Sequence, residues 1–131
     1  LRWRRVEKQG RGLLNFNGIL GTQDHALAYA LCGVYSPEAQ TTHLVMYSDN
    51  YSQAVLNGEL VQEGQDFGAP GGFTYVPLDL NEGWNTLVVK LINNHGDWFL
   101  RVLVADPKGN LEFQDAPPVE AAAVPAHGAA R

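Results

Sequence analysis

Asn57-Gly58 stands between two β-rich runs, Tyr51-Ser52-Gln53-Ala54-Val55-Leu56 and Glu59-Leu60-Val61-Gln62. No other feature constrains the chain as much. A two-residue type I′ turn needs positive φ at both central positions, and Asn-Gly accepts that at least cost, so the stretch reads as an antiparallel hairpin. A second turn signal, Asn81-Glu82-Gly83, feeds a run over residues 84–92 in which Leu87, Val89 and Leu91 share one parity. Alternation of that period belongs to a strand with one face on a core.

The rest of the chain follows the same pattern. Residues 12–20 alternate Leu14, Phe16, Gly18 and Leu20 and read as a first strand. In residues 26–35 one parity carries Leu27, Tyr29, Leu31 and Tyr35, and the other Ala26, Ala28, Ala30, Cys32 and Val34. That division suggests a strand covered on both faces, with a close neighbour over the alanines. A helix is the competing reading, but Gly33 and the β-rich surroundings favour the strand. After the Ser36-Pro37 turn, residues 41–47 set Leu44 and Met46 against His43, Val45 and Tyr47, and Ser48-Asp49-Asn50 makes a tight corner. A Gly-rich loop over 63–72 precedes an extended run, 73–80, which Pro77 marks as an edge or bulged strand. The polar loop 93–97 then leads into residues 98–105, where Trp98, Leu100, Val102 and Val104 align, and a short run closes the series at 111–113. Eight or nine short strands at this spacing fit a sandwich or a barrel, and the local turn chemistry points to an all-β antiparallel sandwich, about eight strands over residues 13–114.

Composition sets outer limits. A chain of 131 residues is long enough for one core and too short for two. A formal net charge of -5 argues against nucleic-acid binding, although Arg2, Arg4, Arg5, Lys8 and Arg11 make residues 1–12 a basic lead-in, read as solvated. No apolar run approaches the ~20 residues of a membrane span. Leu1 is not an initiator Met and no signal-peptide pattern follows it; a processed mature protein and an excised piece both fit. Cys32 is the single cysteine, so no internal disulfide forms, and its apolar setting reads as an inert buried thiol. Residues 115–131 are rich in Ala and Pro and cannot build a core. They read as a tail resting on a neighbouring surface, of this domain or of another subunit.

The polar residues are weaker signals. Asp49 and Asn50 offer oxygens to a Ca²⁺ ion, but one carboxylate is few for a cation that takes six to eight ligands, and an Asx turn explains Asp49 more simply. Trp84, at a strand entrance, is the candidate aromatic platform; Trp98 falls in phase with the core. Asn93, Asn94, His95 and Asp97 place two amides, an imidazole and a carboxylate in one loop, where they suit sugar hydroxyls or plain solvent. Lys90 and Arg101 read as cross-strand neighbours that pair with Asp79 or Asp97 or take an anion. His25, His43, His95 and His127 have no metal-ligand spacing, and no nucleophile elbow, phosphate loop or haem motif occurs, so no catalytic residue, metal or cofactor is assigned.

In order along the chain, Ala28-Tyr29-Ala30, Tyr35-Ser36-Pro37, Ser48-Asp49-Asn50, Leu56-Asn57-Gly58-Glu59-Leu60-Val61, the whole of residues 80–90 from Leu80-Asn81-Glu82-Gly83-Trp84 onward, and Trp98-Phe99-Leu100-Arg101-Val102 form a set. Over residues 13–113 this set resembles galactose-binding-like jelly-roll domains, in particular the extracytoplasmic modules appended to bacterial, often planctomycete, enzymes and c-type cytochromes. The resemblance implies two facing antiparallel sheets and a periplasmic, secreted or surface location, and no single function. Two departures matter. Asn50 stands where such domains often carry a second Asp, and Val55 where they often carry an aromatic residue; both weaken a metal or sugar site.

Three functions follow in order. The first is a non-catalytic docking or structural module of a larger extracytoplasmic assembly, contacting other subunits through residues 115–131. The alternative is a carbohydrate-binding module using Trp84, the 93–97 loop, Asp49 and Asn50. A glycoside hydrolase comes last, because paired carboxylates facing a cleft are not foreshadowed.

Overall fold

The computed structural model describes residues 3, 5, 6, 13–65 and 74–115. Arg2, Arg4, Lys8, Arg11, most of the Gly-rich loop, His127 and the tail beyond Asp115 lie outside the described residues. In chain order the elements are β1 (Leu13–Asn15), α1 (Phe16–Leu20), β2 (Ala26–Ser36), β3 (Gln40–Asp49), β4 (Tyr51–Leu56), β5 (Glu59–Gln65), β6 (Thr74–Leu80), β7 (Gly83–Asn93), β8 (Phe99–Val104) and β9 (Glu112–Gln114). They form two sheets, ordered β1-β8-β3-β6 and β5-β4-β7-β2-β9, with every pairing antiparallel. The expected β-sandwich is what the chain forms, with nine strands among the described residues. No helix among them is long and apolar enough to cross a membrane.

One element differs in kind. Residues 12–20 read as a strand, but only Leu13–Asn15 is extended, and a single helical turn follows. Asn15 caps it, its Oδ1 accepting the Asn17 N–H at 3.1 Å. The turn sets Phe16 against Trp98, ring centroids 5.3 Å apart, and brings Ile19, three residues on, onto the same core, which a helical turn allows and a strand does not.

Alternation fixes which residues face inward. Val34, Leu44, Met46, Leu78, Leu91 and Leu100 are fully buried between the sheets, each side chain worth roughly 1.5–3 kcal/mol of apolar burial. Trp98 is core, and its Nε1–H donates to the Gly21 carbonyl at 3.2 Å. In β2 the small parity faces the core, whereas Leu27 on the large parity is 49% exposed. The outer face is nonetheless covered at its centre. Val88, beside Leu31 and Val55, is 1% exposed although its parity points away from the core. Pro77 lies on β6, which is an edge strand.

Polar side chains pin the register. Asn57 and Gly58 have φ of 51° and 82°, as the I′ turn requires. Asn57 Oδ1 accepts the Thr86 N–H at 2.8 Å, and its Nδ2 donates to Asn85 Oδ1 at 2.8 Å. Asn85 is fully buried. Its Oδ1 also accepts the Asn81 N–H at 2.9 Å, and its Nδ2 donates to the carbonyls of Val34, Asn81 and Gly83. One amide thus ties the β4–β5 turn, the β6–β7 turn and β2 together. Where β3 passes to β4, the buried Ser48 and Ser52 hydroxyls bond at 2.9 Å across the two sheets.

Replacing Asn85 strands several buried partners at once, each costing about 1–3 kcal/mol when left unpaired. Asn85→Ala is therefore expected to lower unfolding free energy by about 3 kcal/mol in urea titration with an unchanged m-value. A loss below ~1 kcal/mol would mean that the amide does not hold the three segments.

Candidate functional site

The residues singled out from sequence divide between opposite ends of β7. Trp84 enters that strand and Asn93 ends it, so about 30 Å of extended chain separates them. Trp84 is half-buried, its ring 5.4 Å from that of its cross-strand neighbour Tyr35 and tilted by 59°. It makes no common site with the 93–97 loop. Lys90 and Arg101 also differ from expectation. Their strands lie in different sheets, so Lys90 sits between Tyr29 and Gln53, and Arg101 between Leu13 and Tyr47. A loop joining two strands does not make them pair when the chain changes sheets there.

The remaining candidates do converge. Asp49 and Asn50 form the β3–β4 corner, whose shared peptide bond is cis. The Asn50 amide donates to Asp49 Oδ1, and Asn50 Oδ1 accepts the Asn94 N–H at 3.0 Å. Asn93 is fully buried; its Nδ2 donates to the carbonyls of Gln23 at 2.6 Å and Gly96 at 3.2 Å. The Gly96 N–H reaches Asp24 Oδ1 at 3.2 Å, and Asn17 Nδ2 donates to Asp97 Oδ1 at 2.8 Å. His95 is exposed. Most of these groups hold the loop in place. Among the described residues, Asn93 Oδ1 and Asn17 Oδ1 are buried acceptors with no donor.

Beside this rim lies a shallow groove of about 320 Å³, lined by Leu13, Asn15, Asn17, Asp97, Phe99 and Arg101. It opens onto the outer face of the four-stranded sheet. Register places Asn15, Phe99 and Asp49 in one row and Leu13, Arg101 and Tyr47 in the next, and Tyr47 stacks on Phe99 at 5.5 Å with 12° between the rings. A third row sets Leu103, Val45 and Tyr75 side by side, with Leu103 44% and Tyr75 68% exposed. Aromatic planes, amides, a carboxylate and a guanidinium thus adjoin. The sequence reading missed this surface. Its signal was that β3 and β8 carry apolar residues on both parities, which a strand with one solvated face does not need.

Electrostatics mark the same corner. Burial, and then the Asp97 carboxylate, hold the Asp49 carboxyl above its ordinary value of 3.8, against the opposing pull of the Asn50 amide. Among the described residues no group of three or more His, Cys, Asp or Glu side chains is placed to hold a metal ion. No family model, curated protein or solved structure matches the chain.

A carboxyl whose folded pKa exceeds its unfolded value favours folding when protonated. That contribution is complete below pH 3.8 and is lost as pH rises through the higher folded value. Asp49→Asn keeps an oxygen for the Asn50 amide and removes the charge. It is expected to raise stability at neutral pH by at most about 1 kcal/mol, given how solvated the corner is. Thermal melts of variant and parent should converge well below pH 3.8, and a gain that persists in acid would contradict this account.

Proposed function

We propose that this chain is a non-catalytic interaction module of the galactose-binding-like jelly-roll class, a docking or structural component of a larger extracytoplasmic assembly. The observation that carries the reading is the outer face of the four-stranded sheet. There Tyr75 and Leu103 stand exposed on either side of Val45, next to the Tyr47–Phe99 stack. Contiguous apolar surface of this kind marks a contact site on a chain in water. By contrast, most of the polar groups that would serve a reaction are engaged in holding loops. The connectivity supports the jelly-roll class: among the described strands the chain changes sheet at every connection except the β4–β5 hairpin. The extracytoplasmic placement rests on the resemblance alone.

A second reading, carbohydrate binding, is favoured by the end groove rather than by Trp84. A sugar ring on Phe99 would find Asp97, Asn15, Asn17 and Arg101 within the same groove. An aromatic plane with a few polar groups around it is the chemistry that carbohydrate recognition uses.

Radical footprinting of the chain alone and in its native assembly separates the two. Docking predicts that Tyr75 and Leu103 label fully in the isolated chain and several-fold less in the assembly, and that Tyr75→Glu/Leu103→Glu folds normally but no longer joins it. Equal labelling in both states would sink the docking reading. Calorimetric binding of a soluble glycan, abolished by Phe99→Ala and weakened by Asp97→Asn, would transfer the assignment to the groove.

A further inference from the structure

Strand β2 is paired along its whole length on one side only. From Ala26 opposite Asn93 to Ser36 opposite Gly83 it follows β7, but β9 covers only Gly33, Val34 and Tyr35 on the other side. Among the described residues, 26–31 therefore form a bare sheet edge. Bare edges are templates for another strand, and proteins blunt them with charges, prolines, bulges or brevity.

The other edges of this sandwich carry such devices. β6 holds Pro77 and Asp79, and β1 has three residues. β5 holds Glu59 and Glu63, and its pairing with β4 shifts register between Ala54 and Val55. The unpaired stretch of β2, Ala-Leu-Ala-Tyr-Ala-Leu, has no charge and no proline, and its register against β7 is unbroken. Its large residues lie on the outer parity, where Leu27 is half exposed.

We infer that this edge pairs with the same edge of a second copy, antiparallel about a two-fold axis, to join two five-stranded sheets into one. The chain's own tail suits the edge poorly. Continuing the β9 register past Gln114 would set Pro117 and Pro118 against Ala30 and Tyr29. Two successive prolines lack both N–H groups, and a ladder needs one of them. A second copy meets the requirements. Centred on Tyr29, the pairing puts Leu27 opposite Leu31 and Ala28 opposite Ala30, so each face meets its like and no like charges face each other. The same operation on β5, centred on Val61, would set Glu59 against Glu63.

Six residues make a ladder only ~20 Å long. That is less than a standard interface requires, so the dimer is expected to be weak and reversible, forming at micromolar concentration and above. The net charge of -5 on each copy opposes it modestly and is screened within about 8 Å at physiological salt. This edge is separate from the outer face of the four-stranded sheet, so the inference stands apart from the docking reading.

Sedimentation velocity of the whole chain over a concentration series tests it, together with amide exchange. A monomer–dimer equilibrium is expected, with protection of the 27–31 amides rising with concentration. Leu27→Lys places a lysine against the second copy's Leu31 and is expected to weaken association at least about tenfold without changing the circular dichroism spectrum. Leu60→Lys, at a side chain 50% exposed on the β5 edge, should leave it unchanged. A monomer at every concentration overturns the inference. So does a dimer that Leu27→Lys leaves intact, or one that Leu60→Lys weakens equally.

Discussion

Register is the constraint on which the rest of this structure depends, and the buried amide of Asn85 is where it is set. In a β-sandwich a slip of one residue exchanges the core face of a strand for its solvent face. Asn85 bonds the two turns that launch β5 and β7 and the carbonyl of Val34 in β2, so the phases of these strands are fixed together. The Ser48–Ser52 bond ties the opposite end, where the chain leaves one sheet for the other. With both ends held, Leu87, Val89 and Leu91 have one direction in which to point, and Val88 and Lys90 have the other.

Fixing the inward parity also fixes what is displayed. On the four-stranded sheet the outward set is Tyr47, Phe99, Leu103, Val45 and Tyr75, with Arg101 among them. On the five-stranded sheet the outward set closes over itself at Val88 and loosens toward its margins, at Leu27 on β2 and Leu60 on β5. The two faces therefore differ in kind. One offers an open aromatic field that runs into a polar groove, and the other offers little except an edge. The recognition role we propose falls to the first face, and the proposed self-association falls to the second sheet's margin.

Much of the fold was legible in the sequence because turn chemistry and period-two alternation are local. Asn57-Gly58, Asn81-Glu82-Gly83 and the edge proline Pro77 announced themselves. Residues 16–20 did not, because Phe16 and Ile19 satisfy a helical turn and Leu14, Phe16 and Gly18 satisfy a strand, and only the packing of Phe16 on Trp98 decides. The site was less legible. Asp49, Asn50, Asn94 and Asp97 do meet, but Trp84 is a strand's length away, since a residue's place along β7 says nothing about which end of the sandwich binds. Lys90 and Arg101 were paired by a rule valid within one sheet, and the connection between β7 and β8 crosses sheets. Tyr47 and Phe99 are far apart in sequence and meet only through the β3–β8 register.

The carboxylates at the rim add something that the fold itself does not need. Asp97 accepts a hydrogen bond from Asn17, and Asp49 accepts one from Asn50; an amide oxygen in either place would accept the same bond. Burial and then the neighbouring Asp97 charge raise the pKa of Asp49, and keeping both acids places like charges beside each other at the end of a face with much aromatic and aliphatic surface. What the charge supplies is a stronger acceptor, since a hydroxyl or amide donor binds an ionised oxygen roughly twice as well as a neutral one. The two rim carboxylates are thus the strong acceptors at this end, while the field beyond offers apolar surface and the weaker phenolic oxygens of Tyr47 and Tyr75. A molecule lying across both would be oriented by its donors at the rim and held by its apolar surface on the sheet.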